Sequence, residues 1–370
     1  MRERVVVAMS GGVDSSVAAA LLQSQGHEVI GITMCFNLAE ADHKRPRCCG
    51  FSGIEDAQRV ARLLRIRHYV ISMQRHLAEY VIKDFCMEYL KGRTPNPCVR
   101  CNQYLKFDCL LRKALSLGAR YLATGHYARI ISGRSGKYTL AKAKDRQKDQ
   151  SYFLYRLGQR QLSHVLFPLG GYTKDRVRHL AKEFDLPVAE KKASQEICFL
   201  PGENYHGLLR DAAMKVKDWA QHGLTRGPVV DQEGRLLGQH RGIAFYTIGQ
   251  RQGLGIAAGY PLHVIKIDAK HNIITVGKKA DAYERACLVG KPHFIAGSLK
   301  KKVAFKVKIR YNHTAAAAAL TPAGRAIKVI FHRPQFAITP GQSAVFYDGD
   351  RVAGGGIIER IIDERHKDGI

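Results

Sequence analysis

The chain has 370 residues, more than one hydrophobic core usually supports, and its 59 Lys and Arg against 32 Asp and Glu give a formal net charge of +27. This basic excess is spread along the chain, which favours a nucleic acid partner over a surface charged only for solubility. The sequence has neither the run of about 20 apolar residues that spans a bilayer nor the apolar segment of a signal peptide, so we expect no membrane partner and a cytoplasmic location with reduced thiols.

The first predicted element is a strand, a glycine-rich loop and a helix in direct succession. Apolar residues 5–9 are followed by Ser10-Gly11-Gly12-Val13-Asp14-Ser15-Ser16 and then by helix-like residues 17–22. Two glycines after a buried strand let the backbone approach a phosphate, and the helix N-terminus offers unpaired N–H groups and a positive dipole end. Asp14 stands where a Walker A loop has lysine, which favours pyrophosphate bound through Mg²⁺. The loop resembles that of the ATP pyrophosphatase superfamily, whose members split ATP into AMP and pyrophosphate; the alternative is an ordinary glycine-rich turn with a Ser/Asp helix cap.

Short apolar strands then alternate with amphipathic helices, which is the rhythm of a doubly wound parallel sheet. The predicted strands cover residues 28–34, 68–72 and 121–124, and the predicted helices cover residues 54–64, 77–90 and 105–117. Ligands of such sheets lie beyond the carboxyl ends of the strands, where Met34 and Gly125 fall together with the loop. We therefore predict an α/β nucleotide-binding domain over residues 1–202, which includes a hairpin at 137–143 and a helix at 174–184.

Two thiols stand three residues apart in Asn96-Pro97-Cys98-Val99-Arg100-Cys101-Asn102, directly after a double-proline segment. The prolines delay the helix until this point, and a helix N-terminus beside Arg100 stabilises a thiolate. This pair therefore offers a candidate nucleophile, although C-x-x-C equally fits a zinc half-site or a redox disulfide. No second C-x-x-C or H-x-x-H pair closes a zinc site, and Cys48-Cys49 keeps that alternative open. Cys198 is a further candidate thiol, which sequence alone does not bring to the pair.

The remaining chain is predicted to form two smaller domains. Residues 203–280 indicate a small α+β linker domain with a helix that contains Trp219 and with strand-like segments at 242–255 and 263–276. Residues 281–370 indicate a small antiparallel β-barrel, with strands at 303–311, 326–331, 343–347 and 353–358. The run of alanines at 315–319 is interpreted as a surface loop or local sequence drift.

Over nearly its whole length the chain resembles the tRNA-specific 2-thiouridylase family. The resemblance is carried by segments 8–15, 96–102, 124–127, 148–154, 194–199, 245–253 and 340–342, which together are far more specific than any one of them. It implies a doubly wound ATP pyrophosphatase domain of the adenine nucleotide α-hydrolase-like type, a linker domain and a C-terminal β-barrel. It also implies that ATP adenylates the C2 oxygen of the wobble uridine of tRNA, that sulfur replaces this oxygen, and that a sulfur-relay protein or a cysteine desulfurase delivers the sulfur as a persulfide.

The same resemblance implies roles for individual residues. Cys198 would carry the persulfide, Cys101 would be the other catalytic cysteine, and Asp14 would act at the Mg²⁺ and phosphates. The residues implied to bind ATP are Ala8, Met9, Ser10, Gly11, Gly12, Val13, Asp14, Ser15, Met34 and Gly125. Those implied to contact tRNA are Asn96, Pro97, Cys98, His126, Lys148, Asp149, Gln150, Arg310, Tyr311 and Gln342.

The sequence departs from the family pattern at three positions. Cys98 stands where many members carry Asp, Asn312 where a basic residue is common, and Ala193 where Asp is common. The third thiol leaves open an iron–sulfur cluster of the 4Fe–4S type held by Cys98, Cys101 and Cys198, as an alternative to the persulfide. Two other functions also stay open: a carbonyl-activating ligase of the same superfamily, and a non-catalytic RNA-binding or iron–sulfur protein, against which the intact Asp14 argues.

Overall fold

The structure, a computed structural model, describes residues 3–36, 51–133, 136–192, 198–199, 205–214 and 223–363. The chain folds into two compact units: the first contains Met1–Val81, Cys98–Glu203 and Asp350–Ala353, and the second contains Ile82–Pro97, Asn204–Gly349 and Gly354–Ile370. The domain boundaries expected after residues 202 and 280 stay a prediction. Cys48-Cys49, residues 193–197 and Trp219 lie outside the described residues.

The helices and strands have the following bounds. The strands are β1 (Arg4–Ala8), β2 (Glu28–Cys35), β3 (Arg67–Ser72), β4 (Tyr121–Thr124), β5 (Ala128–Ser132), β6 (Tyr138–Lys142), β7 (Val165–Leu166), β8 (Gly227–Val230), β9 (Leu236–His240), β10 (His263–Asp268), β11 (Ile273–Gly277), β12 (Tyr283–Phe294), β13 (Val303–Lys308), β14 (Ala316–Ala323), β15 (Ala326–Phe336), β16 (Ser343–Asp348) and β17 (Arg351–Ile362). The α-helices are α1 (Val13–Ser24), α2 (Phe51–Leu63), α3 (Gln74–Leu77), α4 (Lys83–Leu90), α5 (Pro97–Arg100), α6 (Leu111–Ser116), α7 (Gln159–Leu162), α8 (Lys174–Glu183) and α9 (Tyr205–Met214). Within the described ranges, no helix combines the length and the apolar character that crossing a bilayer requires.

The first unit is built on a five-stranded sheet in the order β3-β2-β1-β4-β7, and each of its pairings is parallel. This confirms the predicted doubly wound parallel sheet. β1 lies at the centre, and Val5, Val6 and Val7 are fully buried, which is why the strand reads as a continuous apolar run. Because parallel strands end at one edge, the loop after β1, the end of β2 and Gly125 after β4 lie along the same edge of the sheet.

A π-helical segment, Cys101–Leu110, continues α5 and leads into α6. Pro97 begins this helical run, as a residue without an N–H favours the first helical position. The Leu111 N–H donates to the Lys106 oxygen, five residues earlier, instead of to the fourth residue back. Leu105, Phe107 and Leu110 are buried and hold the segment against the unit's core. The helix predicted at 105–117 is therefore present, but it begins earlier, and its first part is a π-helix and not an α-helix.

The second unit contains a four-stranded sheet in the order β10-β11-β8-β9 and a six-stranded barrel in the order β12-β15-β14-β13-β16-β17, which β12 closes by pairing with β17. This confirms the predicted antiparallel barrel. The interior contains fully buried side chains from alternating strand positions, among them Val289, Val307, Phe331, Phe346 and Ile358.

Two expectations about this unit were wrong. The alanine run is not a surface loop: β14 pairs with both β13 and β15, and Ala318 and Leu320 are buried, so pairing on both sides overrides the weak strand preference of alanine. Residues 242–255 form no strand. Gly242, Gly249 and Gly253 have positive φ values of 129°, 87° and 73°, which a pleated strand does not accommodate, and the segment is a short 3₁₀ turn followed by irregular chain.

A turn of the barrel fixes the chain just before the C-x-x-C pair. Gln342 donates from Nε2 to the backbone oxygens of Thr94 at 3.0 Å and Pro95 at 3.1 Å. The Thr94 N–H in turn donates to the Pro340 oxygen at 2.9 Å. Gln342 therefore holds the backbone that leads to Asn96.

Replacing Gln342 by Glu removes both donors and keeps the size of the side chain. Losing two partly buried hydrogen bonds should lower the free energy of unfolding in urea by about 1–3 kcal/mol. Gln239→Glu, at an exposed position on β9, is the matched control and should change it by less than about 0.5 kcal/mol. Equal free energies of unfolding for Gln342→Glu and Gln239→Glu would contradict a stabilising role of the two Gln342 hydrogen bonds.

Candidate active site

The glycine-rich loop after β1 is shaped by its own backbone and hydroxyl groups. Gly11 has a φ of +71°, and a Cβ there would lie 2.0 Å from the Gly53 oxygen, so only glycine fits. Ser15 and Ser16, in the first turn of α1, donate from Oγ to the Gly12 oxygen at 3.1 and 2.9 Å. The loop therefore curls over the start of α1, where the helix dipole favours an anion.

Asp14 is the charged centre of this loop. Its Oδ1 accepts hydrogen bonds from Lys174 Nζ at 2.6 Å and from the Tyr127 hydroxyl at 2.7 Å. Burial, and then the Asp14 carboxylate, raise the pKa of Tyr127 far above its usual value, so the phenol stays a donor. Lys174 is the first residue of α8, whose cap Thr173 accepts from the Arg176 N–H. One carboxylate oxygen of Asp14 thus contacts an ammonium and a phenol. The Asp14 side chain is 33% exposed, so a ligand can still reach it.

A second ammonium reaches the loop from the other side. Lys191 Nζ lies 3.0 Å from the Gly11 oxygen and 2.6 Å from Asp56 Oδ2 on α2. Lys191 therefore connects the chain segment after α8 to the glycine-rich loop.

The other residues implied to bind ATP lie around the same loop. The Ser10 N–H donates to Ser15 Oγ at 3.1 Å. A Cβ on Gly125 would lie 2.8 Å from the Asp14 carbonyl carbon, so the end of β4 packs directly on the first turn of α1. Met34 lies near the end of β2, and the strand-to-helix junction itself contains Ala8, Met9 and Val13.

Three thiols lie within electrostatic range of one another in the first unit. Cys98, on α5, and Cys198 are exposed, whereas Cys101, at the start of the π-helical segment, is 9% exposed. Desolvation by the surrounding protein raises the pKa of Cys98 and of Cys101 to about 11; the Cys198 thiolate also raises both pKa values, and the Lys106 ammonium lowers both. These mutual effects indicate that Cys198 lies within electrostatic range of the C-x-x-C pair.

Sequence profiles and relatives identify the family. The profile described as the tRNA methyl transferase HUP domain matches residues 3–202, the tRNA methyl transferase PRC-barrel domain matches 219–278, and the aminomethyltransferase beta-barrel domain matches 284–358. The chain is 49% identical over 365 residues to the tRNA-specific 2-thiouridylase MnmA of Pelotomaculum thermopropionicum, covering 97% of this chain and 98% of that protein. It is 48% identical over 365 residues to the same enzyme of Halothermothrix orenii, covering 96% and 99%. The chain belongs to the tRNA-specific 2-thiouridylase family.

This membership confirms the resemblance found in the sequence. A solved 4-thiouridine synthetase–RNA complex with bound ATP aligns with a TM-score of only 0.35 and 16% identity over 57% of this chain and 52% of its own, and it adds nothing to the assignment.

Of the residues implied to contact tRNA in the first unit, three are engaged inside the protein. His126 Nδ1 lies 2.7 Å from Thr124 Oγ1. Asp149 is 6% exposed, and its Oδ2 accepts from the Ser151 hydroxyl at 2.8 Å. Gln150 Oε1 accepts from the Tyr127 N–H at 3.0 Å. Lys148 is exposed, beside the exposed Gln147 and the buried Asp149. The segment thus offers a surface ammonium, and its other side chains hold the loop; its tRNA contacts stay a prediction.

The residues implied to contact tRNA in the second unit are similarly anchored. Arg310 donates to the Ala337 oxygen and, at 3.1 Å, to Thr339 Oγ1. The Tyr311 ring lies 5.2 Å from the Lys308 ammonium. Their tRNA contacts also stay a prediction, as do those of Asn96, which is half-buried, and Pro97, which is buried.

Sequence reasoning missed the lysines of this site. The loop lacks the Walker lysine, which is a signal that another element must supply a cation, and the first residue of the helix predicted at 174–184 is Lys174. No local pattern marks Lys191 or Lys106.

The donor groups fit the implied metals unequally. Asp14 is a partly exposed carboxylate, the kind of oxygen ligand that Mg²⁺ prefers. Among the described residues, however, no group of three His, Cys, Asp or Glu side chains stands in metal-binding geometry. The three thiols, though close, do not fit a 4Fe–4S cluster as they stand, and no step is derived through one.

The raised thiol pKa values predict how the free protein reacts with iodoacetamide. With pKa values of about 11, Cys98 and Cys101 are mostly neutral thiols at pH 7–8, so alkylation should rise about tenfold per pH unit up to roughly pH 10. Trypsin cuts after Arg100, so mass spectrometry reports the two residues on separate peptides. A rate that levels off near pH 8 would contradict this environment.

Proposed function

We propose that this protein is an ATP-dependent tRNA uridine 2-sulfurtransferase. It adenylates the C2 oxygen of the wobble uridine, releases pyrophosphate, and replaces the oxygen with sulfur as AMP leaves. The observation that carries the proposal is the presence of the Asp14 loop and the three neighbouring thiols Cys98, Cys101 and Cys198 in one compact unit of a chain that belongs to this family.

The phosphates of ATP bind at the glycine-rich loop. The start of α1 and the Lys174 and Lys191 ammonium groups supply positive charge, and Asp14 holds Mg²⁺, which neutralises the leaving pyrophosphate when bound. Lys174, whose ammonium lies 2.6 Å from the same carboxylate, would place a second positive charge beside the phosphates. Met34 and Gly125 frame the adenine and ribose at the edge of the sheet.

Sulfur transfer uses two thiols. The terminal sulfur of a persulfide on Cys198 attacks C2 of the adenylated uridine; the C2–S bond forms and the bond from C2 to the AMP oxygen breaks. The Cys101 thiolate then attacks Cys198 Sγ, and the electron pair of the broken S–S bond goes to the sulfur on C2. The products are 2-thiouridine and a Cys101–Cys198 disulfide, which an external thiol reduces before a sulfur-relay protein or a cysteine desulfurase reloads Cys198.

The positive surface supports tRNA as the macromolecular substrate. The net charge of +27 gives long-range attraction to phosphates, and Lys148 is an exposed contact of this kind. Gln342 contributes by holding the segment before Asn96. We also propose that the division at residues 202 and 280 separates the catalytic, linker and barrel domains, which the matched profile ranges support.

Nucleoside mass spectrometry of tRNA after incubation with ATP and a sulfur donor tests the reaction. Cys101→Ser and Cys198→Ser should each abolish 2-thiouridine, because a hydroxyl neither carries nor resolves a persulfide. Cys109→Ser, on the same helical run as Cys101, is the control and should retain activity. Thiolation by either of the first two variants would exclude the two-cysteine route.

Cys98→Ala separates the persulfide from the cluster route. Activity that persists, with a persulfide detectable on Cys198, supports the covalent route. Iron, a broad visible absorption and activity that all vanish together in Cys98→Ala, when the protein is purified without oxygen, would overturn it in favour of a cluster.

The nucleotide loop is tested by two further variants. Asp14→Ala should abolish pyrophosphate release and leave the Kd for tRNA within about twofold, since the carboxylate acts on Mg²⁺ and phosphate. Lys174→Met should lower kcat/KM for ATP by about 10–100-fold, because it removes a partly buried cation from the phosphates. Lys182→Met, on the same helix but with a 61% exposed side chain, is the matched control. Parallel loss of tRNA affinity in Asp14→Ala would show that the loop is not a separate nucleotide site.

A further inference from the structure

Lys106 is a charged residue close to the thiols that the proposed reaction does not use. It lies five residues after Cys101 in the π-helical segment. Since a π-helix has more residues per turn than an α-helix, residues five apart are separated by little more than one turn, and the side chains of Cys101 and Lys106 lie on nearly the same side of the helix. An α-helical winding would carry them to different sides.

His126 fixes the position of this ammonium. Its Nε2 lies 3.5 Å from Lys106 Nζ, and its Nδ1 lies 2.7 Å from Thr124 Oγ1. The imidazole packs against Phe107 and Phe167, with ring centroids 5.8 and 5.9 Å away. The ring is therefore held by two aromatic contacts and at both nitrogens.

The protonation of His126 follows from these contacts. Burial, and then the Lys106 ammonium, hold its pKa well below the ordinary value, so the ring is neutral near pH 7. A neutral imidazole has one acceptor nitrogen, and only Nε2 faces the ammonium. Nδ1 therefore carries the proton and donates to Thr124 Oγ1.

We propose that Lys106 is a positioning residue that stabilises the Cys101 thiolate, and that neutral His126 holds its ammonium in place for this role. The titratable groups around the Cys101 sulfur differ in their effect on its ionisation. Cys198 opposes ionisation when it is a thiolate, Cys98 is a neutral thiol, and Lys106 favours ionisation. The proposal rests on the proposed use of Cys101 as the nucleophile that resolves the persulfide.

Alkylation of Cys101 in the full-length free protein tests this role without ATP or tRNA, so its failure is distinguishable from failure of the proposed function. In Lys106→Gln, which keeps an N–H donor toward His126 but no charge, the alkylation rate of Cys101 at pH 8 should fall about 3–10-fold. Lys106→Arg should restore the rate to within about twofold. Lys113→Gln, exposed on α6, removes the same charge and should leave the rate unchanged.

Two reagents of different size separate charge from access. A smaller thiolate fraction lowers the rates with iodoacetamide and N-ethylmaleimide by the same factor, whereas a changed access path lowers the rate of the larger reagent more. His126→Phe keeps the ring packing and removes the acceptor, so it should give a smaller decrease in the same direction. Unchanged rates in Lys106→Gln, unequal factors for the two reagents, or an unchanged rate in His126→Phe would overturn the proposal.

Discussion

The contact between Asp14 and Lys174 is the interaction on which the nucleotide side of the site depends. The Asp14 carboxylate is 33% exposed, and the cation that pairs with it comes from 160 residues away, at a distance of 2.6 Å. Two helix starts make this possible: α1 begins directly after the central strand, α8 begins at Lys174, and the two helices pack against each other. The packing of apolar helix faces thus delivers the charges to one edge of the sheet.

The end of β4 lies between the glycine-rich loop that contains Asp14 and the helical segment that contains Cys101 and Lys106. Gly125 packs on the backbone of Asp14, so any larger residue there would displace the loop. Its two neighbours, Thr124 and His126, bond each other instead, and His126 also contacts Lys106. Three consecutive residues at the end of one strand therefore contact both the first turn of α1 and Lys106, which lies on the same helical segment as Cys101.

Local patterns predicted most of this arrangement, and long-range contacts account for the rest. The strand, loop and helix around Asp14 were predictable because burial and glycine geometry leave their signature within a few residues. Lys174 was not, since no periodicity links it to Asp14. The alanine strand β14 was misread because its stability comes from pairing on both sides. The π-helix that begins at Cys101 was not predictable either, because it depends on hydrogen bonds between residues five apart and not on composition.

Cys98 leaves position 98 without a carboxylate, and this affects the electrostatics around Cys101. A carboxylate next to Cys101 would be charged near pH 7, would oppose ionisation of the thiol and would compete for the Lys106 ammonium. The Cys98 thiol, with a pKa of about 11, is neutral at that pH. The ammonium then acts on Cys101 without a competing anion at position 98. The site thereby lacks a carboxylate at position 98 that could take up or release a proton, and the Lys106 ammonium, held by the neutral imidazole, is not shared with such an anion.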